Sequence, residues 1–151
     1  MFQIFKKKNF IKVFDDKQKN IQNKISKKID KKKIKPKKYT RAYVLINEKD
    51  EILVRKRPDK GMLASMLEIP NDVWVKKKNL LKKDLLIKKI NRKFNQKGSL
   101  IYSFSHFDLE TQIFYLKVLK NNFPQQKWIN INKYSKSQLP TVMKKIVEKT
   151  I

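Results

Sequence analysis

The first 38 residues limit what this chain can fold into more than any other feature of its sequence. They hold 15 Lys and 3 Asp, a net charge of +12, with one proline, no glycine and no aromatic residue after Phe14. Such a density of like charges disfavours compact packing, and the segment offers little apolar surface for a core. We therefore predict a basic, largely disordered arm over residues 1–38 and one globular domain over residues 39–151.

Positive charge also dominates the rest of the chain. Residues 39–151 hold 24 basic and 10 acidic residues, and the whole chain carries a formal net charge of +26. This excess favours a polyanionic partner, nucleic acid first. Nearly all the cations are lysines, however, and lysine, asparagine and isoleucine are the residues that an AT-rich genome encodes most readily. Two explanations therefore stay open for the charge: nucleic-acid binding and genome composition.

Residue types that are missing exclude several classes of site. The chain has no cysteine and a single histidine, His106, which excludes disulfides, thiol catalysis, cysteine zinc sites and iron–sulfur clusters in these residues. Apolar runs such as residues 42–46 are far shorter than a membrane span, and the N-terminus lacks the apolar core of a signal peptide. We expect a cytoplasmic, nucleoid-associated protein with no metal, no cofactor and no membrane partner.

Hydrophobic periodicity predicts the order of the elements. Residues 42–47 and 51–57 form a β-hairpin around a polar turn, followed by a loop that leads into a short strand over residues 67–69. Strands are also predicted over residues 100–104, 109–119 and 128–131. A helix is predicted over residues 79–94, where Leu86, Ile90 and Phe94 recur four residues apart, and Gly98 would end it.

The last helix starts near Pro140, which suits a first helical turn. Its predicted apolar stripe consists of Met143, Ile146, Val147 and Ile151. The predicted fold class is α+β, an α/β/α sandwich of one mixed sheet with a helix on each face.

Three segments resemble one protein family in the same order along the chain. The first is RPDKGMLASMLEIP, residues 57–70, which resembles the element that opens the Nudix-like C-terminal domain of the MutY family of bacterial adenine DNA glycosylases. The family often has Trp and a Gly-rich continuation where this chain has Leu67 and Asn71–Asp72. The matching positions are Arg57, Pro58, Gly61, Met62, Leu63, Ala64, Met66, Glu68 and Pro70.

The second segment is FSHF, residues 104–107. It resembles the family's Phe-Ser-His loop, which contacts 8-oxoguanine opposite adenine. A serine hydroxyl both donates and accepts hydrogen bonds, so Ser105 would read the N7–H and O8 edge of the lesion, with Phe104 and His106 beside it. Without the resemblance, Ser105 and His106 are ordinary residues of a surface turn.

The third segment is LPTVMKKIVE, residues 139–148, which resembles the family's closing helix, with Trp128 on the strand before it. The resemblance covers about residues 36–151. It implies a module that binds duplex DNA containing 8-oxoguanine opposite adenine, with phosphate contacts expected from Lys37, Lys38, Arg57 and Lys60.

The catalytic region of that family has no counterpart in these residues. Its helix-hairpin-helix domain and four-cysteine [4Fe–4S] cluster are missing, so we expect no adenine release by this chain alone and a separate glycosylase chain as a candidate partner. A gene that starts at Met1 would then be truncated or split.

Two other functions stay open. A Nudix hydrolase of oxidised nucleotides needs several carboxylates on one helix to bind Mg²⁺, but the predicted helix carries a single acid, Asp84. The other alternative is a generic basic nucleic-acid-binding protein.

Overall fold

The computed structural model describes residues 34–151. The predicted arm therefore lies outside the described residues, apart from residues 34–38. The first strand begins at Lys37, so Lys37 and Lys38, which we expected at the end of the arm, belong to the sheet.

Within residues 34–151 the strands are β1 (Lys37–Ile46), β2 (Glu51–Lys56), β3 (Leu67–Glu68), β4 (Asn95–Ser103), β5 (Asp108–Lys117) and β6 (Lys127–Asn130). These six strands form one mixed sheet in the order β3-β2-β1-β5-β4, with β6 pairing to β2. The central strand β1 runs parallel to β5 and antiparallel to β2, while β4 runs antiparallel to β5.

The apolar run of β1 is buried on both faces of the sheet, because alternate side chains of a strand point to opposite sides. Val44 packs in one apolar cluster with Met143 and Val147 of helix α2 (Thr141–Thr150). Leu45 packs in the other cluster with Ile87 of helix α1 (Leu85–Lys88). The predicted mixed sheet with a helix on each face is confirmed, and none of the helices within residues 34–151 is long and apolar enough to cross a membrane.

The predicted helix over residues 79–94 is wrong in length. The segment holds a 3₁₀ turn (Lys78–Leu80) and the single turn of α1, where the backbone N–H of Leu86 donates to the Asp84 side chain. Leu86, Ile90 and Phe94 still pack against the core. Lys88 and Arg92 stand four residues apart, as do Lys89 and Lys93, and like charges at this spacing destabilise a continuing helix.

The other elements lie near their predicted positions. Gly98, however, lies inside β4 at φ +87° beside a register shift in the pairing with β5, instead of ending a helix. Ile151 is 59% exposed and does not belong to the buried stripe of α2. Two further 3₁₀ turns cover Lys120–Asn122 and Ile131–Lys136.

Candidate nucleic-acid interface

The FSHF segment forms the turn between β4 and β5. The backbone N–H of Phe104 donates to the carbonyl of Phe107 over 2.8 Å and closes the turn. Ser105 and His106 are exposed at its tip, whereas Phe107 is buried. The turn thus presents a hydroxyl and an imidazole to solvent, next to a buried ring.

Four aromatic rings pack beneath this turn. Phe104 stacks on Phe107 with ring centroids 4.9 Å apart and meets Tyr102 edge-on at 5.0 Å. Trp74 completes the group, 5.7 Å from Phe104 and 6.0 Å from Phe107. Such ring pairs add about 0.5–1.5 kcal/mol each beyond the burial of their area. Phe104 is therefore a partly buried anchor of the turn, and we call these four residues the aromatic cluster.

Two of the predicted phosphate-binding residues lie against the aromatic cluster. Lys38 Nζ lies 4.6 Å from the centroid of the Phe107 ring, and Arg57 Cζ lies 4.7 Å from that of Trp74. Lys38, Arg57 and Trp74 line one cleft of about 500 Å³ beside the turn. The structure therefore brings these two cations together with the predicted lesion-reading segment.

The other two predicted cations lie elsewhere. Lys37 forms an ion pair with Glu110 of β5, with Nζ and Oε1 3.4 Å apart. Glu110 also pairs with Lys78 at 3.1 Å. Lys60 is exposed in the loop between β2 and β3 and does not line the cleft.

Three carboxylates line the inner side of the same cleft: Glu68, Asp72 and Asp84. Glu68 accepts hydrogen bonds from Arg55 Nε (2.7 Å) and Arg57 Nη1 (2.6 Å). The other two nitrogens of the Arg55 guanidinium donate to the two oxygens of Asp84 at 2.7 and 2.8 Å. Each of these charges is compensated, as a partly buried charge must be.

Asp72 is fully buried and joins the cleft to β1. Its carboxylate accepts from Arg41 Nε, from the Tyr43 hydroxyl at 3.0 Å and from the backbone N–H of Asp84 at 2.8 Å. Burial first, and the negative charge of Asp72 next, raise the pKa of Tyr43 well above its ordinary range. The Tyr43 hydroxyl is therefore a permanent donor to Asp72.

Arg55 is the centre of a network of arginines and carboxylates, which we call the arginine network: Arg41, Arg55, Arg57, Glu68, Asp72 and Asp84. Burial on its own would lower the pKa of its guanidinium, but hydrogen bonds to Asp84 and Glu68 raise it above the ordinary arginine value. The Arg55 guanidinium is therefore held in its charged form by these two carboxylates.

Comparison with known proteins identifies the fold family. The sequence profile of the NUDIX domain matches residues 41–149. This chain belongs to the NUDIX domain family. A comparison with curated protein sequences returns no match.

Several solved structures share this Nudix fold at low sequence identity. The C-terminal domain of mouse MUTYH, solved in complex with human PCNA, is 20% identical at a TM-score of 0.59, over 75% of this chain and 86% of that one. The MutT protein of Methanosarcina mazei Go1 is 18% identical at a TM-score of 0.57, over 76% and 93%. NrtR of Shewanella oneidensis, solved with a 27mer DNA, is 12% identical at a TM-score of 0.53, over 74% and 59%.

The divalent metal that Nudix hydrolases use does not fit the side chains of this cleft. Mg²⁺ requires carboxylate oxygens that are open to it, and here both oxygens of Glu68 and of Asp84 already accept from arginine. Within residues 34–151, no group of three or more histidine, cysteine or acidic side chains is arranged to hold a metal ion. The arginines therefore leave Glu68 and Asp84 without an open carboxylate oxygen for a divalent cation.

Sequence reasoning missed Trp74 and the arginine network, although one signal for the network is present. Arginine occurs at only four positions of this lysine-rich chain. Three of them, Arg41, Arg55 and Arg57, bind the cleft carboxylates. Because the planar guanidinium alone offers a rigid fork of donors, arginine in a lysine-biased chain marks positions that need several fixed hydrogen bonds.

Proposed function

We propose that this Nudix domain recognises 8-oxoguanine opposite adenine in duplex DNA. In this proposal Ser105 reads the N7–H and O8 edge of the lesion, and Phe104 and His106 flank the base. The domain would support adenine removal by a glycosylase domain that these residues do not contain, in a separate chain or elsewhere.

The observation that carries the proposal is the exposed Ser105–His106 pair on a turn held by stacked rings. A turn whose backbone is closed by the Phe104–Phe107 hydrogen bond, with both of those rings packed below it, loses little conformational freedom on binding. Less ordering cost leaves more of the contact energy for recognition. Reading a base edge requires such a fixed donor–acceptor pair.

In this proposal lysine side chains bind the DNA phosphates. Lys38 borders the turn, whereas Lys37 and Lys60, which do not line the cleft, would bind phosphates away from it. The Arg57 side chain is only 15% exposed, and its guanidinium already donates to Glu68 and to the carbonyl of Met62. Its contribution to DNA binding is then indirect, through Trp74.

Similarity to other Nudix proteins supports a nucleic-acid or protein partner. One similar structure is the C-terminal domain of MUTYH bound to PCNA, and another is NrtR bound to DNA. Because both are distant in sequence, they support only a DNA or protein partner in general. The more specific proposal that the domain recognises 8-oxoguanine is supported by the FSHF turn.

Binding assays with matched duplexes test the proposal. Fluorescence anisotropy would compare a duplex containing 8-oxoguanine opposite adenine with the same duplex containing guanine opposite adenine or cytosine. We expect tighter binding to the lesion duplex, no adenine release, and a loss of about 10-fold in preference on Ser105→Ala. Ser135→Ala, at an exposed serine of the 3₁₀ turn Ile131–Lys136, is the matched control. Equal affinity for all duplexes, unchanged by Ser105→Ala, would refute lesion reading.

Hydrolysis of oxidised nucleotides is the second candidate, favoured by the family and by the similarity to MutT. The arginine-bound carboxylates of the cleft oppose it, because they leave Mg²⁺ no open ligands. Magnesium-dependent release of pyrophosphate from 8-oxo-dGTP, abolished by Glu68→Gln, would establish this activity.

General nucleic-acid binding is the third candidate, favoured by the net charge of +26. Single-stranded RNA that competes with the lesion duplex on equal terms would favour it over lesion recognition.

A further inference from the structure

Arg92 is the one arginine of the chain that lies outside the arginine network. Its side chain is exposed, and its Nη1 donates to the backbone carbonyl of Lys117 over 2.8 Å. Within residues 34–151, its guanidinium forms no ion pair and no other hydrogen bond. A guanidinium has more N–H donors than this one bond uses, so most donors of Arg92 are open to an external acceptor.

An open guanidinium of this kind suits an anion with two oxygens. The planar fork of donors matches the geometry of a carboxylate, which it binds through two parallel hydrogen bonds. The bond to Lys117 already restrains the side chain, so less freedom is lost when an anion binds. Arg92 is therefore a prepared contact for a carboxylate.

Arg92 stands at the rim of a pocket of about 350 Å³ beside α1. This volume lies near the lower end for ligand pockets, roughly 300–1,000 Å³, and suits one large side chain. Lys89 is the second cation of the lining, and none of the described residues that line the pocket is acidic. The apolar part of the lining consists of Leu86, Ile90, Val118, Phe123 and Pro124.

The nearest carboxylates of the domain do not occupy Arg92. Glu48 and Asp50 line a neighbouring cleft that Arg92 also borders. Glu48 accepts from the backbone N–H of Lys120 at 2.8 Å, and neither acid forms an ion pair with Arg92 in the described part of the chain. The open donors thus face an apolar pocket without an anion of their own.

We propose that this pocket binds a segment of a partner protein in which carboxylates flank one bulky apolar side chain. The apolar side chain fills the pocket, and Arg92 and Lys89 bind the carboxylates at its rim. Charge complementarity favours such a segment, because the pocket lining is cationic and the chain carries a net charge of +26.

A nucleic-acid duplex fits this pocket less well than an acidic protein segment. Its charge lies on the phosphate backbone and its bases are stacked, so it has no apolar side chain to bury against the pocket floor. The pocket also borders the apolar cluster that contains Leu45, whereas Phe104 of the FSHF turn packs against the cluster that contains Val44. The inference therefore goes beyond lesion recognition and does not depend on it.

Fluorescence anisotropy with the full chain tests the proposal. The probe is a labelled eight-residue peptide of aspartate and glutamate with one central phenylalanine, measured in about 150 mM salt to screen unspecific attraction. The comparison peptide has alanine in place of phenylalanine. We expect the phenylalanine peptide to bind about 10-fold more tightly, because its ring is buried in the pocket.

Two pairs of variants locate the binding. Arg92→Gln should weaken the phenylalanine peptide about 5-fold, whereas Lys145→Gln, which removes the same charge from an exposed position of α2, should have little effect. Ile90→Ala should reduce the advantage of phenylalanine over alanine, whereas Leu80→Ala, at an exposed leucine that does not line the pocket, should leave it unchanged. Circular dichroism checks that each variant is folded.

Three results would overturn the proposal. The first is equal affinity for the phenylalanine and alanine peptides. The second is an equal effect of each variant and its control, since the peptide would then bind elsewhere or through net charge alone. The third is a single-stranded oligonucleotide of the same charge that binds more tightly than the peptide and loses affinity on Arg92→Gln, because the pocket would then be a nucleic-acid site.

Discussion

Trp74 is the residue whose replacement best tests whether the aromatic cluster positions the FSHF turn. Its ring contacts the rings of Phe104 and Phe107 and also the Arg57 guanidinium. Its indole N–H donates to the Asn71 side-chain oxygen at 2.8 Å. Trp74→Leu keeps an apolar side chain but removes the ring contacts, the cation–π contact and this hydrogen bond.

The expected loss of stability follows from these contacts. Each ring pair contributes about 0.5–1.5 kcal/mol, the cation–π contact about 0.5–1 kcal/mol, and the hydrogen bond about 1 kcal/mol. Because Trp74 is half-buried and leucine restores part of the apolar contact, we expect a net loss of about 2–3 kcal/mol in the free energy of unfolding. Urea unfolding followed by circular dichroism measures it.

Trp128→Leu is the matched control for function. Trp128 packs against the other apolar cluster and meets Phe123 edge-on at 6.3 Å, away from the turn. Its loss should destabilise the domain to a similar degree, yet leave the preference for 8-oxoguanine unchanged under folded conditions. Trp74→Leu should reduce that preference about 10-fold, to the level of Ser105→Ala. If both tryptophan variants kept full preference, the idea that the cluster positions the turn would be wrong.

Three further predictions concern charge and backbone. Lys38→Ala should weaken DNA binding for every duplex alike and reduce the slope of log affinity against log salt by about 1, as measured by anisotropy at several salt concentrations. The hydrogen bond from Lys78 lowers the pKa of Glu110. The ion pair should therefore stabilise the fold at a pH above the ordinary glutamate pKa, and this stabilisation should be lost as the pH falls through the lowered pKa. Acid unfolding of Glu110→Gln should lack this pH-dependent loss of stability. Gly98→Ala should cost about 1 kcal/mol in urea unfolding, because Gly98 holds φ +87° although no atom lies within 4 Å of the added methyl position.

The sheet and the last helix were predictable because their signals are local. The apolar residues 52–54 of β2 are consecutive and buried on both faces of the sheet, and the spacing of Met143, Ile146 and Val147 predicts the buried face of α2. The helix predicted over residues 79–94 was wrong in length because the apolar spacing and the charges of this segment favour different structures. Leu86, Ile90 and Phe94 pack on the core, but the like charges between them oppose a continuous helix.

The turn at residues 104–107 was predictable, but its surroundings were not. Trp74 lies 30 positions before Phe104 in the sequence, and only the pairing of residues 71 and 75 with β1 brings it under the turn. Contacts of this kind depend on sheet topology, which no local pattern states. The arginine network is similar, since Arg55 reaches Asp84 across 29 positions.

Arg57 joins the two halves of the candidate site. On one side its guanidinium binds the buried Glu68, and on the other it lies against Trp74, which contacts Phe104. The ion pair with Glu68 holds the Arg57 guanidinium against the Trp74 ring. In this cleft the ion pair therefore supports the ring that contacts the FSHF turn. Lysine at position 57 would keep the charge but lose the planar stacking surface, which is a physical reason for arginine at this position in a chain so rich in lysine.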